Sequence, residues 1–232
     1  MRRPYGHSTL ARVKKTILIA PFNGPLAAAI AAQARASGWT AALALAGGPR
    51  PDAQEAPEGA DADSLALSYT PSSFVSVSAM VLHARNALGE IDAAVLVGDV
   101  SAIHAGFLGE RPGELGSIVE EQCAGPLYLA RELSHRFDAR KSGRILLLAP
   151  ERPRDAALGP VASLVSGAFE GLGAGLFTMA ESAPWSAYGV LEASGLPERA
   201  AQFVLSLLDD PKASKSGRWI RYTGKSGIFG TG

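Results

Sequence analysis

The chain has 232 residues, with 22 Lys+Arg against 22 Asp+Glu and a formal net charge of zero, so no global field argues for nucleic acid or an anionic membrane as partner. Apolar residues make up 47% and aromatics 7%, which suits a single domain long enough to bury a substantial core. A single cysteine, Cys123, excludes a disulfide framework and a Cys-based metal site, and fits a reducing, cytoplasmic setting.

Residues 1–14 read as a basic N-terminal extension (Arg2, Arg3, Arg12, Lys14). Arg2-Arg3 ahead of the apolar run from Ile17 imitates a secretory leader, but Pro21, Asn23, Gly24 and Pro25 interrupt that run and a helix follows. No uninterrupted apolar stretch of about 20 residues is present, so no membrane span is expected. Thr16–Ala20 is a short, wholly apolar run, as a central parallel strand should be. The alanine-rich segment Pro25–Ser37 predicts a helix closed by Gly38, and Thr40–Leu45 a second strand. Gly47–Asp63, rich in Gly, Pro, Asp and Glu, reads as a surface loop. Ser64–Ser68 is a third strand, and Pro71 opens a helix to about Leu88. Ile91–Val97 is a fourth strand. A long helix is expected from about Gly113 to Phe137, bent near Gly125-Pro126. Arg144–Ala149 is a fifth strand, Val161–Ala180 a helix, and Tyr188–Glu192 a sixth strand. Pro197–Leu208 is a last helix, Trp219–Tyr222 a last strand, and 226–232 a C-terminal tail. Lys212, Lys215, Arg218, Arg221 and Lys225 make the end basic, read as a solvated terminus.

Strands separated by single helices predict a doubly wound parallel sheet in a three-layer α/β/α arrangement. From about Lys15 to Lys225 the chain resembles the short-chain dehydrogenase/reductase family. The resemblance rests on GEIDAAVLVGDV (89–100), SGRILLLAPERP (142–153), GAFEGLGAGL (167–176), LPERAAQFVLSLLDDP (196–211) and SGRWIRYTGK (216–225), in order and at nearly the family's spacing. It implies one Rossmann-type domain over 15–225 with about seven strands. It also implies descent from NAD(P)-dependent oxidoreductases.

The residues that the family uses are largely replaced. Its glycine-rich cofactor loop corresponds to Ala20-Pro21-Phe22-Asn23-Gly24-Pro25, with Pro21, Pro25 and Ala27 on the three glycine positions. Those glycines allow a tight turn and close approach of the pyrophosphate, whereas Pro25 has no N–H to offer and fits an ordinary helix start. The second strand ends Leu45-Ala46-Gly47-Gly48-Pro49-Arg50, without an acid for the ribose and with Arg50 as a solvated loop cation. Ser68 stands where an acid would cap the adenine, and Gly98-Asp99-Val100-Ser101 replaces the family's signature after the fourth strand. Ala149 takes the place of the serine that steadies the substrate carbonyl. Ala162 and Ser166 fall on the tyrosine and lysine positions, and Gln122 on that of the asparagine holding a relay water. No tyrosine lies between Tyr128 and Tyr188, and no lysine between Lys141 and Lys212. Carbonyl reduction needs a proton donor tuned by an adjacent cation, and Ala162 can donate nothing. Ala193-Ser194-Gly195 runs straight into the next helix, so the substrate lid is absent as well.

Another site on the rim would draw on His104, Glu151, Arg152 and Arg154, with Glu192 as an unusual charge on the sixth strand. His83 and His135 are scattered, and no spacing suggests a metal. The expectation is a catalytically inactive relative acting as a binding, scaffold or partner subunit. No cofactor is expected, or NAD(P) if the cofactor site is retained. The alternative is a divergent NAD(P)(H)-dependent oxidoreductase acting on a small carbonyl or hydroxyl substrate. The resemblance implies a homo-oligomer, dimer or tetramer, through the helices near 113–137 and 161–180, and a hetero-oligomer with an active homologue is the alternative. Cys123 is expected to be buried in the first of these helices.

Overall fold

The computed structural model describes residues 14–47, 64–100, 103, 108–109, 111–151, 158–210 and 217–224. Seven parallel strands form one sheet: β1 (Thr16–Ala20), β2 (Thr40–Ala46), β3 (Leu65–Tyr69), β4 (Ile91–Val97), β5 (Arg144–Pro150), β6 (Ser186–Glu192) and β7 (Trp219–Tyr222). Their order is β3-β2-β1-β4-β5-β6-β7. This is the Rossmann-like, doubly wound arrangement expected of strands alternating with helices, because each crossover helix must return over a sheet face.

Strand alternation sends side chains to two separate cores. Leu18 and Ala20 of β1, with Leu96, Ile145 and Leu147, face α2 (Phe74–Leu88), α4 (Gly125–Arg140) and α5 (Pro160–Ala180). Ile17, Ile19, Val95, Leu146 and Tyr188 face α1 (Gly24–Ala36) and α6 (Pro197–Asp209). Each fully buried Leu or Ile contributes about 1.5–3 kcal/mol by leaving water. Small residues set the spacing on the second face: Ala27, Ala31 and Ala34 of α1 lie with Ala200 and Ala201 of α6 in one cluster.

Several element boundaries differ from the sequence reading, β6 for instance beginning at Ser186 rather than Tyr188. β3 sits one residue later, so that Leu67 and Tyr69 point inward and Ser68 outward. α2 starts at Phe74 rather than Pro71, because Ser73 supplies the N-cap and its hydroxyl accepts from the Ser76 N–H. The long helix is interrupted before Gly125-Pro126. α3 (Pro112–Val119) passes into a π-helical turn, Glu120–Ala124, and then into α4. Pro126 lacks an N–H and its ring crowds the carbonyl of Gln122, so the ladder widens just upstream.

α5, at 21 residues, is long and apolar enough by length and composition to cross a membrane, although Glu170, Ser163, Ser166 and Thr178 interrupt its apolar run. Its inner face, however, packs Val161, Val165, Phe169, Leu176 and Phe177 into the protein interior. The basic extension, most of the loop after β2 and the C-terminal tail lie outside the described residues.

Candidate functional site

In doubly wound sheets the crevice opens at the C-terminal ends of the strands where successive crossovers diverge to opposite sides, here between β1 and β4. The β1–α1 connection forms one wall. The Ala20–Pro21 peptide is cis, and Phe22 turns inward to only 7% exposure. The Phe22 N–H donates to the Ala44 carbonyl at 2.6 Å and the Asn23 N–H to the Pro21 carbonyl at 3.2 Å. Pro21 and Pro25 have no N–H. Asn23 sits extended at the N-cap without a side-chain cap bond, and Gly24 takes φ +70°, a left-handed value that glycine adopts at little cost.

The opposite wall is aromatic and apolar. A Cβ built on Gly98 would lie 2.5 Å from the Phe169 ring, so that ring rests directly on the backbone after β4. Pro71 lies against Gly125 at the start of α4, where an added Cβ would approach its ring to 2.8 Å. Among the described residues, a cavity of about 30 Å³ lies between these walls. Tyr69, Glu121, Gln122, Gly98 and Phe169 are among its lining residues. Tyr69 is 3% exposed, and burial alone pushes its phenol well above the ordinary value. The π turn places Glu121 and Gln122 on this cavity, as π turns often do at functional sites.

The sequence candidates separate into several environments. Pro21, Gly98 and Gln122 line the cavity, whereas Ser68 points away from it and Tyr69 takes the inward position at the end of β3. Asp99 is half-buried beside Gly98. Ala149 and Ala162 are buried and offer no polar atom. Ser166 is buried and donates to Glu170, one helical turn on, at 3.5 Å. Cys123 is half-buried in the π turn rather than fully buried, and desolvation raises its thiol pKa. His83 and His135 are exposed on α2 and α4. Arg50, His104, Arg152 and Arg154 lie outside the described residues.

Glu151 and Glu192 sit on the rim over β5 and β6 and have structural partners. Arg221 of β7 donates to Glu151 at 2.6 Å, and that carboxylate raises the guanidinium pKa. One Glu192 carboxylate oxygen accepts from the Ser194 N–H at 2.6 Å, the Gly195 N–H at 3.0 Å and the Ser194 hydroxyl. Glu192 therefore builds the turn between β6 and α6. No group of three His, Cys, Asp or Glu suited to a metal occurs among the described residues.

Sequence reasoning missed Tyr69, Phe169 and Glu121. Tyr69 was within reach, since the alternation Leu65-Leu67-Tyr69 gives the inward phase of β3. Phe169 belongs to a small-residue helix and meets Gly98 only in three dimensions. The chain matches no model of a known protein family, and a search of the curated proteins finds no match to it.

Proposed function

We propose that this chain is a short-chain dehydrogenase/reductase-like protein that does not carry out the nicotinamide-dependent reaction and acts as a binding or partner subunit. The observation that carries the reading is the crevice between β1 and β4, which the chain's own groups occupy. A pyrophosphate on such a fold needs open backbone N–H groups and small residues at the first helix. Here the Phe22 and Asn23 N–H groups are already donated to carbonyls, and two prolines supply none. Phe169 lies on Gly98, and the space left, about 30 Å³, is far below a dinucleotide's. The residues present do not suit NAD(P). Ala149 and Ala162 add that neither carbonyl polarisation nor proton donation has a carrier at the positions implied by the resemblance.

The partner surface in this reading is the outer face of α4 and α5. An open groove of about 680 Å³ runs between them, lined by Leu127, Leu172, Leu176, Met179 and Trp185 with a polar rim. Leu127, Leu164 and Met179 are 51%, 57% and 50% exposed. Gly167, Gly171 and Gly175 are exposed on α5, with nothing within 4 Å of a built Cβ. Large exposed apolar side chains beside a flat glycine stripe suit close approach of a second pair of helices. Calorimetry with NADH and NADPH tests the first part and sedimentation of the full chain the second.

A further inference from the structure

The cavity beside Tyr69 carries more than the closure of the crevice. Three residues with polar side chains line it: Tyr69, Gln122 and Glu121. None of the three makes a side-chain hydrogen bond or ion pair among the described residues. Tyr69 is 3% exposed as a residue. Apolar groups, Pro21, Pro71, Val165 and Phe169 among them, make up most of the remaining wall.

We infer that this cavity is a binding site for the head of a small primary amine, held as an ammonium by Tyr69, Gln122 and Glu121. Charge decides the class. Among the described lining residues the only formal charge is the Glu121 carboxylate, and no described Lys, Arg or His lines the cavity. A carboxylate or phosphate would meet a like charge and no cation. An ammonium would meet that carboxylate, the Tyr69 oxygen and the Gln122 carbonyl as acceptors. Size agrees, since about 30 Å³ holds roughly two waters or a head group of similar bulk. The alkyl remainder would leave along the proline and valine wall. This assignment rests on the reading that the crevice takes no dinucleotide.

The test is saturation-transfer NMR on the full chain with methylammonium as probe, acetate as anionic control, and the variants Tyr69→Phe and Glu121→Gln. The ceiling on binding energy per atom puts a two-atom probe at dissociation constants of about 10 mM. Transfer to the methylammonium methyl group is expected in the native chain and not to acetate. Loss of one hydrogen-bonding group weakens it by about fivefold or more in either variant. Glu121 is exposed, so Glu121→Gln keeps the test valid if Tyr69→Phe folds poorly. Absent transfer, equal transfer in native chain and Glu121→Gln, or acetate binding as well as methylammonium would overturn the assignment. NADH binding measured in parallel separates the two readings. No binding of either probe removes the amine site alone, whereas NADH binding removes the closed crevice as well.

Discussion

Tyr69 shows how one buried side chain links stability to function. Its phenol is 3% exposed, and desolvation favours the neutral form and raises its pKa above the ordinary 10.0. In the unfolded chain the proton leaves once the pH passes about 10. Above that point the folded state holds more protons than the unfolded one, so stability falls as pH rises. The contribution is whole below about pH 10 and is lost progressively above it. Tyr188, also raised by burial, adds to the same slope. Tyr69→Phe should therefore flatten, without abolishing, the fall in urea midpoint between about pH 9 and pH 11. Identical slopes in variant and native chain would show that the Tyr69 phenol ionises as easily folded as unfolded. Residue chemistry was only partly legible in the sequence. Ala149 and Ala162 announce by type alone that they can transfer no proton. Glu192 was conspicuous as a charge on an apolar strand, but its role depends on a turn closing back onto its own carboxylate, as the Ser194 and Gly195 donors do.

Among the elements, the junction of α2 with α4 is held by a defined polar network. Glu132 is 8% exposed, accepts from Ser78 of α2 at 3.0 Å and pairs with Arg136 one turn on at 2.6 Å. A carboxylate so enclosed is tolerated because both oxygens are satisfied. Glu132→Ala leaves Arg136 partly buried without this carboxylate, and should cost about 2 kcal/mol in chemical denaturation. A loss within about 0.5 kcal/mol would mark the pair as a surface contact of little weight. Strands and helices were legible because the apolar runs are short and flanked by Gly or Pro, and their predicted ends moved by a residue or two in most cases. The start of α2 was hidden because Pro71 and Ser73 both signal a helix start, and the serine hydroxyl decides it. Pro126 did announce a bend, but the π turn lies upstream, where the missing N–H and crowded carbonyl act.

For the whole molecule, seven parallel strands in the order β3-β2-β1-β4-β5-β6-β7 give a Rossmann-like body with two cores and one rim crevice. That much follows from the alternation of elements, because short parallel connections leave few topologies. The contact of Phe169 with Gly98 does not follow from alternation, since it joins residues more than seventy apart in the chain. The apolar outer face of α4 and α5 belongs to this scale too. Leu164→Glu, at a side chain 57% exposed, should convert a sedimenting oligomer to monomer while leaving the thermal midpoint of the monomer nearly unchanged. A native chain that sediments as a monomer at high protein concentration would direct the search to other partners. The central claim is that the crevice between β1 and β4 is shut to a dinucleotide by Phe22, Pro25 and Phe169. Titration calorimetry of the purified chain with NADH and NADPH tests it most directly. The closed crevice predicts no heat and no thermal stabilisation even at millimolar cofactor, whereas a dissociation constant in the micromolar range would contradict it and restore the oxidoreductase reading.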